Sequence, residues 1–455
     1  MLYLINLVII SCVLSFGYCL IHISEINLYT TPLLPFTFLF LTIFFNKIYK
    51  SYNSSFVFKL FIFQATIRYC IFPVIVSTDQ NFISNYSLFY LNVAIFVMIL
   101  ELVFVFVVFV FFSKKQKNSF LNKKSSVIPL RGSFFLLIFL AILFYYAYSS
   151  GAFSQISLIW NLSDYVEDYI TNNTEVNSSG FGLVFFNLFK SLLALLFISF
   201  VYGFNKTKDS VKKWLYLLII LTSGAFIIGT SRFSFILFML PLLFLISYIL
   251  NKKEYEKIFK ITSILLVVAL VITTIAKFTR YENTVSAENF LSASSINAYF
   301  AGIGNIAIGL NAYEKVDFSK SLFFLINDTF QNVPLLSKIT LEQYKTTLRF
   351  NEEIYGHTLY ADQIVPLSIS GLFHFGFIGM IFYSSFFISI ALLFERLSYK
   401  SNFIAYKYLF IYLSVNTSLV YMLNIGSFYS SMAGAFIFLL LPFYSIKYIQ
   451  RLKLG

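Results

Sequence analysis

Apolar residues run along this chain in blocks of roughly twenty, parted by short polar stretches that hold most of the charge. Crossing about 30 Å of hydrocarbon takes about 20 mostly apolar residues in a helix. Read on that length, the pattern predicts helices near 2–21, 30–46, 56–77, 86–112, 132–150 and 181–203. It continues with 214–229, 233–250, 261–278, 367–394, 403–424 and 427–446. The seventh and eighth are short and meet at a tight turn, Gly229-Thr230-Ser231-Arg232. The predicted fold is all-α, a polytopic membrane protein of about twelve transmembrane helices. Residues 1–278 carry nine spans, 279–366 a large external loop, and 367–455 three spans and a tail.

Composition agrees. Hydrophobic residues make up 59% of the 455 and charged residues 12%, against about 25% charged in soluble domains. The net charge of +13 would suggest a polyanion partner in a soluble protein. In a membrane protein basic residues gather in cytoplasmic loops, so no nucleic-acid partner is inferred. The abundant Phe and Tyr accompany abundant Ile, Asn and Lys, the signature of an AT-rich genome, so aromatic clusters are not read as sugar-stacking sites. Cys12, Cys19 and Cys70 all lie in apolar stretches, and no disulfide is expected. No basic stretch precedes the first helix, which is read as a retained span.

Charge sets the orientation. Alternate connections carry Lys47 and Lys50, then Lys114 to Arg131, then Lys206 to Lys213. Lys252 to Lys260, Arg396 with Lys400, and Lys447 to Lys453 continue the series. The intervening short loops hold Glu25, Asp79, Asp164, Glu167, Asp168 and Glu175, with Arg232 their one base. The positive-inside rule then places both termini in the cytoplasm. The 279–366 loop is far longer than ordinary connections, and loops of that size are usually functional or disordered. Its apolar stretches, Phe290 to Leu310 and Leu322 to Leu336, predict short helices packed on the membrane surface.

Ionisable side chains inside spans are expensive and mark candidate sites. Lys59 and Lys407 lie near cytoplasmic ends and can snorkel. Arg68, Glu101 and Lys190 cannot. Arg68 lies about 18 Å and Glu101 about 16 Å from the cytoplasmic ends of adjacent helices, at 1.5 Å per residue. They form either a structural ion pair or, with Lys190, a cavity that meets phosphate. On the external side stand Arg232, Arg280-Tyr281, Arg349 and His357. Guanidinium groups bind phosphate bidentately at any relevant pH; the bland alternative is that each meets lipid headgroups. His357 is either structural or a general base, its ordinary pKa lying near neutrality; His22 reads as interfacial. The sequence has no Gly-rich phosphate loop, no Cys/His cluster at metal spacing and no Asp-x-Asp pair, so no metal and no cofactor are expected.

This layout resembles the oligosaccharide repeat-unit (O-antigen) polymerases and the related O-antigen ligases. Three stretches carry the likeness. Arg68-Tyr69 followed by Pro73 is similar to a polymerase pattern. Ile227-Ile228-Gly229-Thr230-Ser231-Arg232 resembles a shared small-small-Ser-Arg turn. His357 followed by Gly376-Phe377-Ile378-Gly379 resembles the ligase histidine and its Gly-x-x-Gly, although Thr358 stands where ligases commonly have Asn. The resemblance implies a GT-C-like glycosyltransferase of the bacterial inner membrane that needs no metal. Its partners would be undecaprenyl-diphosphate-linked oligosaccharides, membrane lipid, a flippase and a chain-length regulator. His357, Arg232 and Arg280 would be catalytic, and Arg68, Lys190, Tyr281 and Arg349 would bind substrate; Glu352 and Glu353 are alternative bases. A flippase for the same lipid, a ligase, a glycosyltransferase using a polyprenyl-phosphate monosaccharide and a membrane scaffold are the competing readings.

Overall fold

The computed structural model describes residues 2–23, 28–116, 130–158, 180–203, 208–228, 234–281, 292–331, 333, 336, 339–356 and 364–451. Among them the chain is helical throughout, apart from one three-residue antiparallel ribbon, Ile156–Leu158 with Phe226–Ile228. Among the described residues six helices are long and apolar enough to cross a membrane: Tyr3–Ile21, Phe56–Val76, Leu88–Ser113, Phe185–Tyr202, Leu367–Lys400 and Ile425–Ser445. In lipid no water meets exposed backbone groups, so a spanning segment must satisfy them internally, and the helix does so. Large apolar side chains point outward, with Leu14 69% and Phe111 66% exposed. This is a helical membrane protein.

Two compact units share the chain. One is drawn from Met1–Phe120, Ala287–Leu393 and Asn416–Ser431, the other from Leu121–Ser286, Phe394–Val415 and Met432–Gly455. In the first unit Leu2–Ile21 packs on Leu33–Phe44, which packs on Leu88–Gln116. In the second, Gly180–Tyr202 packs between Leu130–Ser149 and Asp209–Ala225.

Each predicted segment is helical over most of its length, but three break where the pattern gave no warning. The 214–229 helix stops at Ala225, and Phe226–Ile228 runs extended into the ribbon. The 403–424 helix stops at Ser418, and the next begins at Ile425. The unwound stretch between them is buried at Leu419, Val420, Tyr421 and Met422. Gln64 satisfies its backbone, donating to the Ser418 carbonyl at 3.1 Å and accepting from the Tyr421 N–H at 3.2 Å. Irregular backbone at membrane depth survives where protein groups meet it in this way.

The third break is sharper. At 34 residues, Leu367–Lys400 would be about 51 Å long if straight, well beyond the bilayer core. Gly376, at φ 64 and ψ −152, turns it instead. The two arms then lie against each other: His374 reaches Tyr383 at 2.9 Å, and a Cβ on Gly371 or on Gly379 would strike the other's carbonyl. The second arm alone is long enough to span.

The third helix carries a π-turn, Ile67–Ile71, between Phe56–Thr66 and Phe72–Val76. Pro73 lacks the N–H that the Tyr69 carbonyl would accept four residues earlier, so the spacing Tyr69 to Pro73 accounts for the local widening. The 279–366 segment contributes the short helices Ala293–Phe300, Ile303–Glu314, Ser321–Phe330 and Thr346–Tyr355. Of these, Ile303–Glu314 packs along Leu88–Gln116 and buries Ile303, Asn305, Ile306 and Ala312.

The Gly376 conformation is one that residues with a Cβ adopt at a cost of about 1–3 kcal/mol, and a Cβ there would also meet the Phe318 ring at 2.9 Å. Gly376→Ala should lower the thermal midpoint of the purified protein in detergent by several degrees. Gly17→Ala, where nothing lies within 4 Å, should leave it unchanged.

Candidate functional site

The first unit builds its polar site from the late loop and the broken helix. Asp328 lies in the last turn of Ser321–Phe330, where the helix dipole disfavours an acid. Partners compensate. Its Oδ1 accepts from the Thr346 N–H at 3.0 Å, and its Oδ2 accepts from the Thr346 hydroxyl. His374 Nε2 lies 2.8 Å from Oδ2 and its Nδ1 2.9 Å from the Tyr383 hydroxyl. Both side chains are fully buried. A carboxylate only accepts, so Nε2–H donates to Asp328, and Nδ1 pairs with the Tyr383 hydroxyl.

Two cavities flank this pair. The larger, 380 Å³, is lined by Lys315, Lys320 and Arg349 and by Asp317, Glu352 and Glu353, with Phe324 and Tyr344. Phe324 stands one turn before Asp328, and Arg349 three residues after Thr346, so the buried pair fixes both helices that form the wall. Arg349 Nη1 holds Glu352 at 2.7 Å, and its Nε donates to the Gln343 carbonyl at 3.1 Å. Lys315 holds Glu353 at 2.6 Å. The Ser319 hydroxyl and N–H hold the Asp317 carboxyl below its ordinary pKa. The smaller cavity, 220 Å³, is lined by Gln331, Thr346, Thr347, Ser370, Asn424 and Ser427 among others, none of them charged.

Arg68, a candidate phosphate ligand, is committed elsewhere. Buried in the π-turn, its Nη1 holds Glu101 Oε2 at 2.7 Å, the ion pair being one of the two arrangements that their matched depth left open. Ser384 donates to the other Glu101 oxygen, and the guanidinium carbon sits 4.1 Å from the centre of the Tyr421 ring. Lys190, in the second unit, donates to the Phe226 carbonyl at 2.9 Å and lies 3.9 Å from the centre of the Phe238 ring, pinning one strand of the ribbon. Lys407 does not snorkel: it is buried, its ammonium 4.3 Å from the Tyr248 ring centre. Arg280 and Tyr281 end the helix Lys252–Tyr281; their side chains, with Arg232 and His357, lie outside the described residues. Of the predicted site residues, the structure therefore brings Arg349 together with Glu352 and Glu353. It does not bring Arg68 to them.

Sequence reasoning missed Asp328 and His374. The rule that singles out Arg68 and Lys190 applies equally to His374, an ionisable side chain within an apolar run. Asp328 gave no such signal, because its helix end and its partner 46 residues away are properties of the fold. Among the described residues no cluster of three or more His, Cys, Asp or Glu could hold a metal ion.

No family model, curated protein or solved structure matches the chain.

Both buried pairs should behave as coupled units. Arg68→Met leaves Glu101 buried and unpaired, and Asp328→Ala strands the donors of His374 and Thr346; each should cost about 3–5 kcal/mol. The doubles Arg68→Met/Glu101→Met and Asp328→Leu/His374→Phe should cost less than the sums of their singles, read from thermal midpoints in detergent.

Proposed function

We propose that this chain is a polysaccharide polymerase of the bacterial inner membrane, joining undecaprenyl-diphosphate-linked oligosaccharide repeat units at the periplasmic face. The reading takes all twelve predicted spans as membrane-crossing, with both termini cytoplasmic, in a GT-C-like arrangement. The observation that carries it is the 380 Å³ cavity in the long late segment, where Lys315, Lys320 and Arg349 face Asp317, Glu352 and Glu353.

The chemistry follows from that charge balance. A hydroxyl of the incoming unit attacks the anomeric carbon of the growing chain, the bond to diphosphate breaks, and the electron pair leaves with the diphosphate. The main catalytic task is to stabilise that departing charge, which preorganised cations do well. Arg349 is already paired, but the pair is about 40% exposed on both sides, and exposed pairs contribute only about 0–1 kcal/mol. A diphosphate offers Arg349 a doubly charged, bidentate partner and displaces Glu352. Released from Arg349, the Glu352 carboxylate has free lone pairs and can take the attacking hydroxyl's proton. In this scheme anion binding switches on the base. His357 is the alternative base, and Arg232, Arg280 and Tyr281 keep the catalytic and substrate-binding roles that the resemblance implies.

Gel profiles of surface polysaccharide from a deletion strain separate the readings. A polymerase leaves single repeat units attached; a flippase leaves no surface sugar; a ligase leaves polymer that is made but unattached. Complementation with Arg349→Ala should give single units with the protein still in the membrane, and Arg349→Lys should restore the ladder poorly. A full ladder from Arg349→Ala would reject the assignment of this cavity.

A further inference from the structure

The 220 Å³ cavity differs from its neighbour in kind. Among the described residues Gln331, Thr346, Thr347, Asn424 and Ser427 give it amides and hydroxyls without a fixed charge. Such a lining offers both donors and acceptors, as a ligand studded with hydroxyls requires.

The walls also discriminate against an anion. The helix Ile425–Gly434 begins at this cavity, and so does Thr346–Tyr355. Two helix N-termini would ordinarily favour phosphate. Here the Asp328 carboxylate already takes the Thr346 N–H and hydroxyl, which spends the positive end of one helix and places a negative charge behind the wall. No cation among the described lining residues offsets it. A neutral ligand meets no such penalty.

We infer that this cavity binds one neutral sugar unit. Thr347, Gln331 and the first turn of Ile425–Gly434, Ser427 included, contact its hydroxyls. Asp328 and His374 act as positioning residues, holding Thr346 in the wall. Its identification as a unit of the substrate oligosaccharide, away from the diphosphate end, rests on the polymerase reading; the binding itself does not.

The test is saturation-transfer NMR on the full chain in lipid nanodiscs. The probes are methyl glycosides of glucose, galactose, N-acetylglucosamine, N-acetylgalactosamine and rhamnose. At least one should receive saturation, and inorganic phosphate should not displace it. Ser427→Ala and Thr347→Val each delete one hydroxyl and should weaken binding about fivefold, within the range expected for one hydrogen bond; Thr347→Ser should keep it. Unchanged thermal midpoints in all three variants show that the fold is intact. No transfer to any glycoside, full binding by both hydroxyl-less variants, or displacement by phosphate would each overturn the site. A normal surface ladder in the deletion strain, with glycoside binding intact, would remove the polymerase reading alone.

Discussion

The first unit depends on a buried ion pair. Taking two charges out of water costs several kcal/mol per ion, which only good geometry recovers. Arg68 and Glu101 meet at 2.7 Å, and the groups around them come from separate elements: the π-turn, the helix Leu88–Gln116, the second arm beyond Gly376 through Ser384, and the unwound stretch through Tyr421. The pair ties these elements to one depth. A slip of either helix by a single residue would strand a charge in an apolar interior. The Tyr421 ring adds a cation–π contact to the guanidinium, while its buried Nε and Nη2 find no hydrogen-bond acceptor among the described residues.

The same unit tolerates two discontinuities because other side chains supply what the backbone lost. Gln64 closes the gap after Ser418. Glycines at 371 and 379 let the arms of the bent helix touch. Discontinuous helices in membrane proteins commonly surround ligand sites, and here both breaks feed one region: Ser370 and His374 come from the short arm, Asn424 and Ser427 from the restart after the gap. The late loop is joined to them through the contact between Asp328 and His374. That contact keeps a charged cavity and an uncharged one on rigid, shared walls.

Much of this was legible in the residues. Helix positions follow from hydrophobic length alone, and counting rise along adjacent spans put Arg68 and Glu101 at matched depth, leaving open an ion pair or a phosphate-facing cavity. The cavity residues Arg349, Glu352 and Glu353 were singled out by charge type and by their place in an outsized loop. The breaks were not legible. Hydropathy reports whether a segment is apolar and says nothing of backbone angle, so Gly376 and residues 419–424 read as continuous helix. Nor was the Asp328–His374 contact, since a lone acid and a lone histidine acquire meaning only when the fold places them 2.8 Å apart. Lys190 shows the opposite limit. Its burial was foreseen, but its partner, the Phe226 carbonyl, became an acceptor only because the chain turned extended after Ala225.

The short arm before Gly376 raises the matter of what anchors it. Leu367 to Phe375 covers about 14 Å at helical rise, less than half the hydrocarbon thickness, and it carries His374, Ser368 and Ser370 buried within it. Such a segment has too little apolar length to partition into the bilayer by itself. Its place in the protein is therefore held by polar contacts to Asp328 and Tyr383 and by the packing of the second arm, rather than by lipid.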